Sequence, residues 1–106
     1  MAIEIEKTEQ DGNCLIQVRG EVDLYTSPDL RAAILKAVPK NKRLTLAVDL
    51  SQVPYMDSSG VATLVEGLKA CHAKKAAFCL VDPSMPVMKV LQLARLDSVF
   101  DVREKL

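Results

Sequence analysis

The sequence predicts an α/β (α+β) fold in which a mixed β-sheet of about four to five strands is packed against helices. The first observation is a length of 106 residues with 49% hydrophobic and 26% charged residues, which is typical of one globular domain. The second is that apolar residues recur with the period of a strand in some segments and of a helix in others. These segments follow the order β-β-α-β-α-β-α-β. No repeat or linker interrupts them, so residues 1–106 are predicted to form a single domain.

A β-hairpin is expected at the start of the chain. Isoleucine and glutamate alternate over residues 3–6, which is the pattern of a half-buried strand. Asp11-Gly12-Asn13 is a turn signal, and residues 14–20 form an apolar second strand. Because only a short turn separates the two strands, they are predicted to pair with each other.

The first helix is predicted to begin near Ser27. The Ser27 hydroxyl can cap free N–H groups, Pro28 suits the first helical position, and Asp29 favours the positive end of the helix dipole. Apolar residues then recur at helical spacing until Pro39, which ends the helix. The residues expected on its buried face are Leu30, Ala33, Ile34, Ala37 and Val38.

Three strands and two helices are expected in the rest of the chain. Strands are predicted over residues 44–50, 76–81 and 99–102, where apolar residues alternate or are continuous. A helix follows each of the first two of these strands. The second helix is expected to bury a stripe of Val61, Leu64, Val65, Leu68 and His72. The third helix is expected to bury Val87, Val90, Leu91 and Ala94.

The charge balance and hydropathy disfavour several classes of function. The 14 basic and 14 acidic residues cancel, and only 4% of residues are aromatic, so neither a phosphate-binding field nor a base-stacking platform is expected. The longest apolar run, residues 76–81, is far shorter than the roughly 20 residues that span a bilayer. The chain starts with acidic residues where a signal peptide would be basic. We therefore expect a cytoplasmic protein with no direct nucleic-acid partner and no membrane insertion.

The cysteines are expected to be core residues. Cys14, Cys71 and Cys79 are odd in number, contain no CxxC pair and lie among apolar neighbours. A disulfide framework is therefore not expected. The chain is predicted to fold as a monomer without disulfide, metal or cofactor, because its length and apolar content suffice for a core.

The segment over residues 53–61 carries the most chemical information. Apolar helical periodicity begins at Val61, so Asp57-Ser58-Ser59-Gly60 lies at a helix N-terminus. Asp57 can accept hydrogen bonds from the following N–H groups as an N-cap. Gly60 leaves the backbone open to close approach by another surface, at a cost of up to ~1 kcal/mol relative to alanine. Because aspartate and serine are preferred caps in any helix, local chemistry alone fits an ordinary cap equally well.

A catalytic serine at this position is disfavoured. The single histidine, His72, lies 14 positions after Ser58 on the same predicted helix, roughly 21 Å away at 1.5 Å per residue. A base must lie within about 3 Å of the hydroxyl that it activates. The sequence has no GxSxG, GK[ST] or GxGxxG motif and no spacing typical of a metal site. The protein is therefore predicted not to be an enzyme and to use no cofactor or metal.

Two motifs resemble those of a known family. Met56-Asp57-Ser58-Ser59-Gly60, after an apolar strand, resembles the phosphorylation motif of anti-sigma factor antagonists, the bacterial branch of the STAS domain family. Gly20-Glu21-Val22-Asp23, followed by Thr26 and the first helix, resembles the G-E-[LV]-D signature of the same family. The order of strands and helices fits over nearly the whole chain. The resemblance therefore implies a STAS-like fold, with one STAS domain over residues 1–106.

The resemblance also implies a regulatory switch. In this family the serine directly after the motif aspartate accepts the phosphate, which corresponds to Ser58. An anti-sigma factor that is itself a serine kinase adds the phosphate from ATP, and a phosphatase removes it. The unphosphorylated form is expected to bind that anti-sigma factor and so to release a sigma factor. The expected partner-binding residues are Asp23, Tyr55, Met56, Asp57, Ser58, Ser59 and Gly60.

The expected position of Ser58 provides a physical basis for this switch. Phosphate adds a charge of about −1.5 to −2 at pH 7, and a helix N-terminus tolerates that charge. Asp57, together with Asp23 if the two loops adjoin, would make the surrounding patch more acidic. A partner surface shaped for a neutral hydroxyl would then be repelled. Tyr55 and Met56 either contact the partner or fold back onto the core; the sequence leaves both alternatives open.

A second function is compatible with the same motifs. The chain could be a STAS module of another assembly, such as a stress-signalling complex or the accessory subunit of a lipid-transport ATPase. Such modules use the same fold, and only some of them keep the serine. A neighbouring gene for a kinase-type anti-sigma factor would favour the first function, and one for a transporter ATPase the second.

Overall fold

The computed structural model describes residues 2–106, which form five strands and three helices in the predicted order. These elements are β1 (Glu4–Gln10), β2 (Asn13–Arg19), α1 (Ser27–Ala37), β3 (Thr45–Gln52), α2 (Ser58–Ala73), β4 (Ala77–Val81), α3 (Met85–Leu93) and β5 (Asp101–Arg103). The predicted α/β class is therefore confirmed.

The five strands form one mixed sheet in the order β1-β2-β3-β4-β5. β1 pairs antiparallel with β2, and each later neighbour pairs in parallel. The predicted hairpin turns at Asp11 and Gly12, whose φ angles of 55° and 85° are the left-handed values that a two-residue hairpin turn favours. Because β2, β3 and β4 are parallel, their carboxyl ends lie at the same end of the sheet.

The main core lies on one face of this sheet. Leu46, Val48 and Leu50 alternate along β3 and join the larger apolar cluster, whereas Ala47 points the other way and packs in a small cluster with Cys79. The larger cluster also contains residues of all three helices, which therefore cover the same face. All three cysteines are free and buried, as predicted.

The first helix begins differently from the prediction. Ser27 is its first residue and is buried, whereas Thr26 occupies the N-cap position. The cause lies upstream, where Asp23 accepts the Ser27 N–H on its backbone carbonyl and the Thr26 N–H on its side chain. The predicted cap by Ser27 is therefore wrong, although Pro28 lies in the first turn as expected.

The buried face of α2 is rotated from the predicted stripe. His72 is exposed and Cys71 is buried in its place, so the prediction for His72 is wrong. Gly67 explains the rotation, because a Cβ there would lie only 2.8 Å from Ile34 Cγ2 on α1 and 2.9 Å from Phe78 Cε1 on β4. The missing side chain lets α2 approach its neighbours on the side that contains Gly67 and Cys71.

The third helix is shorter than its apolar pattern. Val87 and Leu91 are buried as predicted, but Ala94 is exposed. The helix ends at Leu93, so Ala94 lies at the C-cap, where its N–H donates to the carbonyl of Val90. Within residues 2–106, none of the helices combines the length and hydropathy needed to cross a membrane.

Candidate functional site

The two sequence motifs meet beyond the carboxyl ends of β2 and β3. Val22 and Met56 form an isolated parallel bridge between the loops. The Val22 N–H donates to the Tyr55 carbonyl at 2.9 Å, and the Asp57 N–H donates to the Val22 carbonyl at 3.1 Å. The loop after β2 and the loop after β3 are therefore one structural unit. We call this unit the two-loop site, comprising residues 20–26 and 53–60.

Asp57 is the N-cap of α2, as the sequence predicts. Its Oδ1 accepts the Ser59 N–H at 2.9 Å, the Gly60 N–H at 3.4 Å and the Ser59 hydroxyl at 2.5 Å. The Ser59 hydroxyl lowers the pKa of the Asp57 carboxyl most, and the N–H groups of Gly60, Ser59 and Leu24 lower it further. The Asp57 N–H donates to the Val22 carbonyl of the other loop, so Asp57 also helps to hold the two loops together.

The two serines that follow Asp57 have different surroundings. Ser58 is the first residue of α2 and is exposed. Ser59 is half-buried, and its hydroxyl donates to the Asp57 carboxylate. Among the hydrogen bonds of residues 2–106, none involves the Ser58 hydroxyl. Ser58 therefore presents its hydroxyl to solvent, while the Ser59 hydroxyl is part of the cap.

Asp23 shapes the loop after β2 from within. Its Oδ1 accepts the N–H of Tyr25 at 2.9 Å and that of Thr26 at 3.0 Å. The Thr26 hydroxyl accepts the Asp23 N–H at 2.9 Å and donates to the Glu21 carbonyl at 2.8 Å. These bonds fix the backbone between the end of β2 and α1. The role of Thr26 in holding this loop was not predicted from the sequence, although the Asp-x-x-Thr spacing is a signal for such local side-chain bonds.

Two expected partner-binding residues lie beneath the site. Met56 is only 1% exposed, and Gly60 is buried. A Cβ on Gly60 would lie 2.6 Å from Met56 Cγ and 2.9 Å from Val22 Cγ1. The surface that approaches Gly60 is thus the chain's own core, and Met56 follows the alternative in which it folds back onto that core. Tyr55, by contrast, is 49% exposed.

The catalytic and metal-binding possibilities follow from the same geometry. His72 lies in the last turn of α2, at the opposite end of the helix from Ser58. Across residues 2–106, no three His, Cys, Asp or Glu side chains form a group that could hold a metal ion. The chemical features of the two-loop site are therefore one accessible serine hydroxyl, the Asp57 carboxylate beside it and exposed side chains on both loops.

Comparisons with known proteins show what the chain as a whole is similar to. A family model described as STAS domain matches residues 4–106. The anti-sigma-B factor antagonist of Staphylococcus aureus (strain NCTC 8325 / PS 47) is 30% identical over 104 residues, which cover 98% of this chain and 95% of that protein.

Two solved structures share the fold. An anti-sigma factor antagonist from Mycobacterium paratuberculosis is 27% identical with a TM-score of 0.83, covering 98% of this chain and 87% of that one. The Bacillus cell fate determinant SpoIIAA in its phosphorylated form is 22% identical with a TM-score of 0.71, covering 93% and 90%.

Proposed function

The chain belongs to the STAS domain family, and we propose that it is an anti-sigma factor antagonist switched by phosphorylation of Ser58. Unphosphorylated, it binds an anti-sigma factor that is a serine kinase, and this binding releases a sigma factor. The kinase transfers the γ-phosphoryl group of ATP to the Ser58 oxygen, and a phosphatase removes it. The chain supplies no catalytic group of its own and acts as a cytoplasmic monomer.

The names of similar proteins and the charge of the chain support a protein partner. The Staphylococcus aureus relative, which is covered over 95% of its length, is named an anti-sigma-B factor antagonist. The net charge of zero gives no electrostatic basis for binding nucleic acid. Regulation of transcription through a protein partner is consistent with both observations.

The accessible Ser58 hydroxyl is the observation that carries the proposal. It stands at the first residue of α2, where a kinase can reach it without unfolding the chain. The Ser59 hydroxyl donates to Asp57, so a kinase would have to break the cap before using it. Ser58 is therefore the better phosphoacceptor of the two.

The position of Ser58 allows phosphate to change binding without changing the fold. Phosphate at a helix N-terminus is favoured by the helix dipole and by free backbone N–H groups. The lowered pKa of Asp57 keeps the neighbouring carboxylate ionised at neutral pH. Phosphate therefore adds about −1.5 to −2 charges beside an existing negative charge. A partner that fits the neutral hydroxyl loses several kcal/mol through repulsion and desolvation, by the order of magnitude of buried charge pairs.

Phosphorylation mapping tests this assignment. We expect the anti-sigma factor kinase of the same organism, incubated with ATP, to add one phosphate to the chain, which mass spectrometry locates on Ser58. Ser58→Ala should remain unmodified. The matched variant Ser59→Ala should still be phosphorylated on Ser58. Phosphate on Ser59 or on another residue, with Ser58 unmodified, would contradict the proposal.

A further inference from the structure

Three large side chains on the two-loop site are exposed although they are largely apolar. Leu24 is 69% exposed, Tyr25 is 86% exposed and Tyr55 is 49% exposed. The chain contains only two tyrosines, and both lie here. We call these three residues the apolar rim.

The backbone of the apolar rim is held in place by bonds already described. The Tyr25 N–H donates to Asp23 Oδ1, and the Tyr55 carbonyl accepts the Val22 N–H. The carbonyl of Val22, two residues before Leu24, accepts the N–H of Asp57, which directly precedes Ser58. The rim backbone therefore loses little conformational entropy when a partner covers it, which favours affinity.

We propose that the apolar rim docks into an apolar groove on the anti-sigma factor. The inference deepens the proposed function and rests on it. Two observations support this occupant: the rim is continuous with the site of Ser58 through the hydrogen bonds that Val22 makes with Tyr55 and Asp57, and tyrosines supply much of the energy of protein interfaces. Leu24 and Tyr25 were not expected from the motifs, because exposure of apolar residues next to a turn depends on the folded loop.

The apolar rim also accounts for the sensitivity of binding to phosphate. Apolar side chains that pack against a partner exclude water from the groups between them. A neutral Ser58 hydroxyl tolerates that loss of water, whereas a phosphate dianion does not without a cationic partner. The rim thus turns a change of charge on one side chain into a loss of binding.

Matched leucine variants test the proposal. We expect Leu24→Ala and Tyr25→Ala each to weaken binding to the anti-sigma factor kinase of the same organism by about tenfold or more in calorimetric titration. Tyr25→Phe, which keeps the ring, should bind nearly as well as the parent chain. Leu93→Ala is the control, because Leu93 is 79% exposed at the last residue of α3 and should bind within about twofold of the parent.

The same titrations separate this inference from the proposed function. If Ser58→Asp loses binding while Leu24→Ala and Tyr25→Ala bind like the parent, the apolar rim is not the docking surface and the proposed function stands. If Leu93→Ala weakens binding as much as Leu24→Ala, the inference also fails, because the effect is not confined to the rim. If the parent chain binds no anti-sigma factor of its organism, both are overturned.

Discussion

The Asp57 carboxylate connects the charge of the site with the stability of the chain. It caps α2 and accepts the Ser59 hydroxyl, and the Leu24 N–H of the other loop also lowers its pKa. Each of these interactions favours the ionised form, which explains why the pKa of Asp57 is lowered. The residue that makes the Ser58 surroundings acidic is thus also the residue that closes the helix and joins the loops.

Removal of this cap should destabilise the chain in a pH-dependent way. We expect Asp57→Ala to lower the free energy of unfolding by ~1 kcal/mol at pH 7, since a lost N-cap costs about that much. A carboxyl whose folded-state pKa is lowered contributes its stability above the unfolded-state pKa of about 4, and that contribution disappears as pH falls through the folded-state pKa. The difference from the parent should therefore shrink in urea unfolding measured from pH 7 down to pH 2.5.

Asp97→Ala is the control for this measurement, because Asp97 is exposed in the segment after α3. It should change the free energy of unfolding by less than about 0.5 kcal/mol at every pH. A loss for Asp57→Ala that is equal at all pH values would contradict the attribution to the ionised carboxylate.

The limits of prediction at single residues follow from how local each interaction is. The Asp57 cap was predictable because its acceptors and donors lie within three positions of one another. The start of α1 was harder to predict. Asp23 accepts the N–H groups of Thr26 and Ser27, but it lies four positions before the first helical residue, where a cap is not usually sought. The burial of Met56 and Gly60 depends on Val22, which is distant in sequence.

At the scale of elements, the contact of α2 with α1 and β4 depends on a small residue. Gly67 leaves no side chain between α2 and the atoms of Ile34 and Phe78. This contact sets the rotation of α2, and hence the direction in which its N-terminus presents Ser58. Sequence periodicity counted large apolar residues as the buried stripe, so it could not detect an approach that requires the absence of a side chain.

Gly67→Ala should destabilise the chain although alanine is the better helix former. The propensity gain is about 1 kcal/mol, but a Cβ at less than 3 Å from Ile34 Cγ2 and the Phe78 ring forces these elements apart. Because overpacking costs typically ~1–3 kcal/mol, we expect a net loss in urea unfolding. Lys69→Ala, an exposed position of the same helix, should stay within about 0.5 kcal/mol of the parent. A Gly67→Ala chain more stable than the parent would contradict the packing.

At the scale of the whole molecule, the parallel pairing of β2 and β3 creates the site. The order of elements and the mixed sheet were predictable, since they follow from the period of apolar residues and from the Asp-Gly turn. The Val22–Met56 bridge was not, because it joins the loops that follow two separate strands, and only the folded sheet makes those strands adjacent. The meeting of both motifs at one end of the sheet is therefore a property of topology.

The stability of the whole domain should not depend on metal or on disulfides. All three thiols are free and buried, and burial raises the pKa of Cys71 to about 11, which keeps that thiol protonated and unreactive at neutral pH. We expect thermal melts with and without chelator, and with and without reductant, to coincide within a few degrees. A large shift with either reagent would indicate a structural site that the fold does not account for.

The central claim, that a charge on Ser58 abolishes partner binding while the fold is retained, is tested most directly by two variants of that residue. Ser58→Asp and Ser58→Ala are titrated calorimetrically into the anti-sigma factor kinase, and each is melted alone. We predict that Ser58→Ala binds within a few-fold of the parent, whereas Ser58→Asp loses about a hundredfold or more, an effect of several kcal/mol. Both should melt within a few degrees of the parent, because a carboxylate at a helix N-terminus suits the dipole. Binding of Ser58→Asp as tight as that of the parent would contradict the claim, and so would a melt so much lower that the lost binding reflects unfolding.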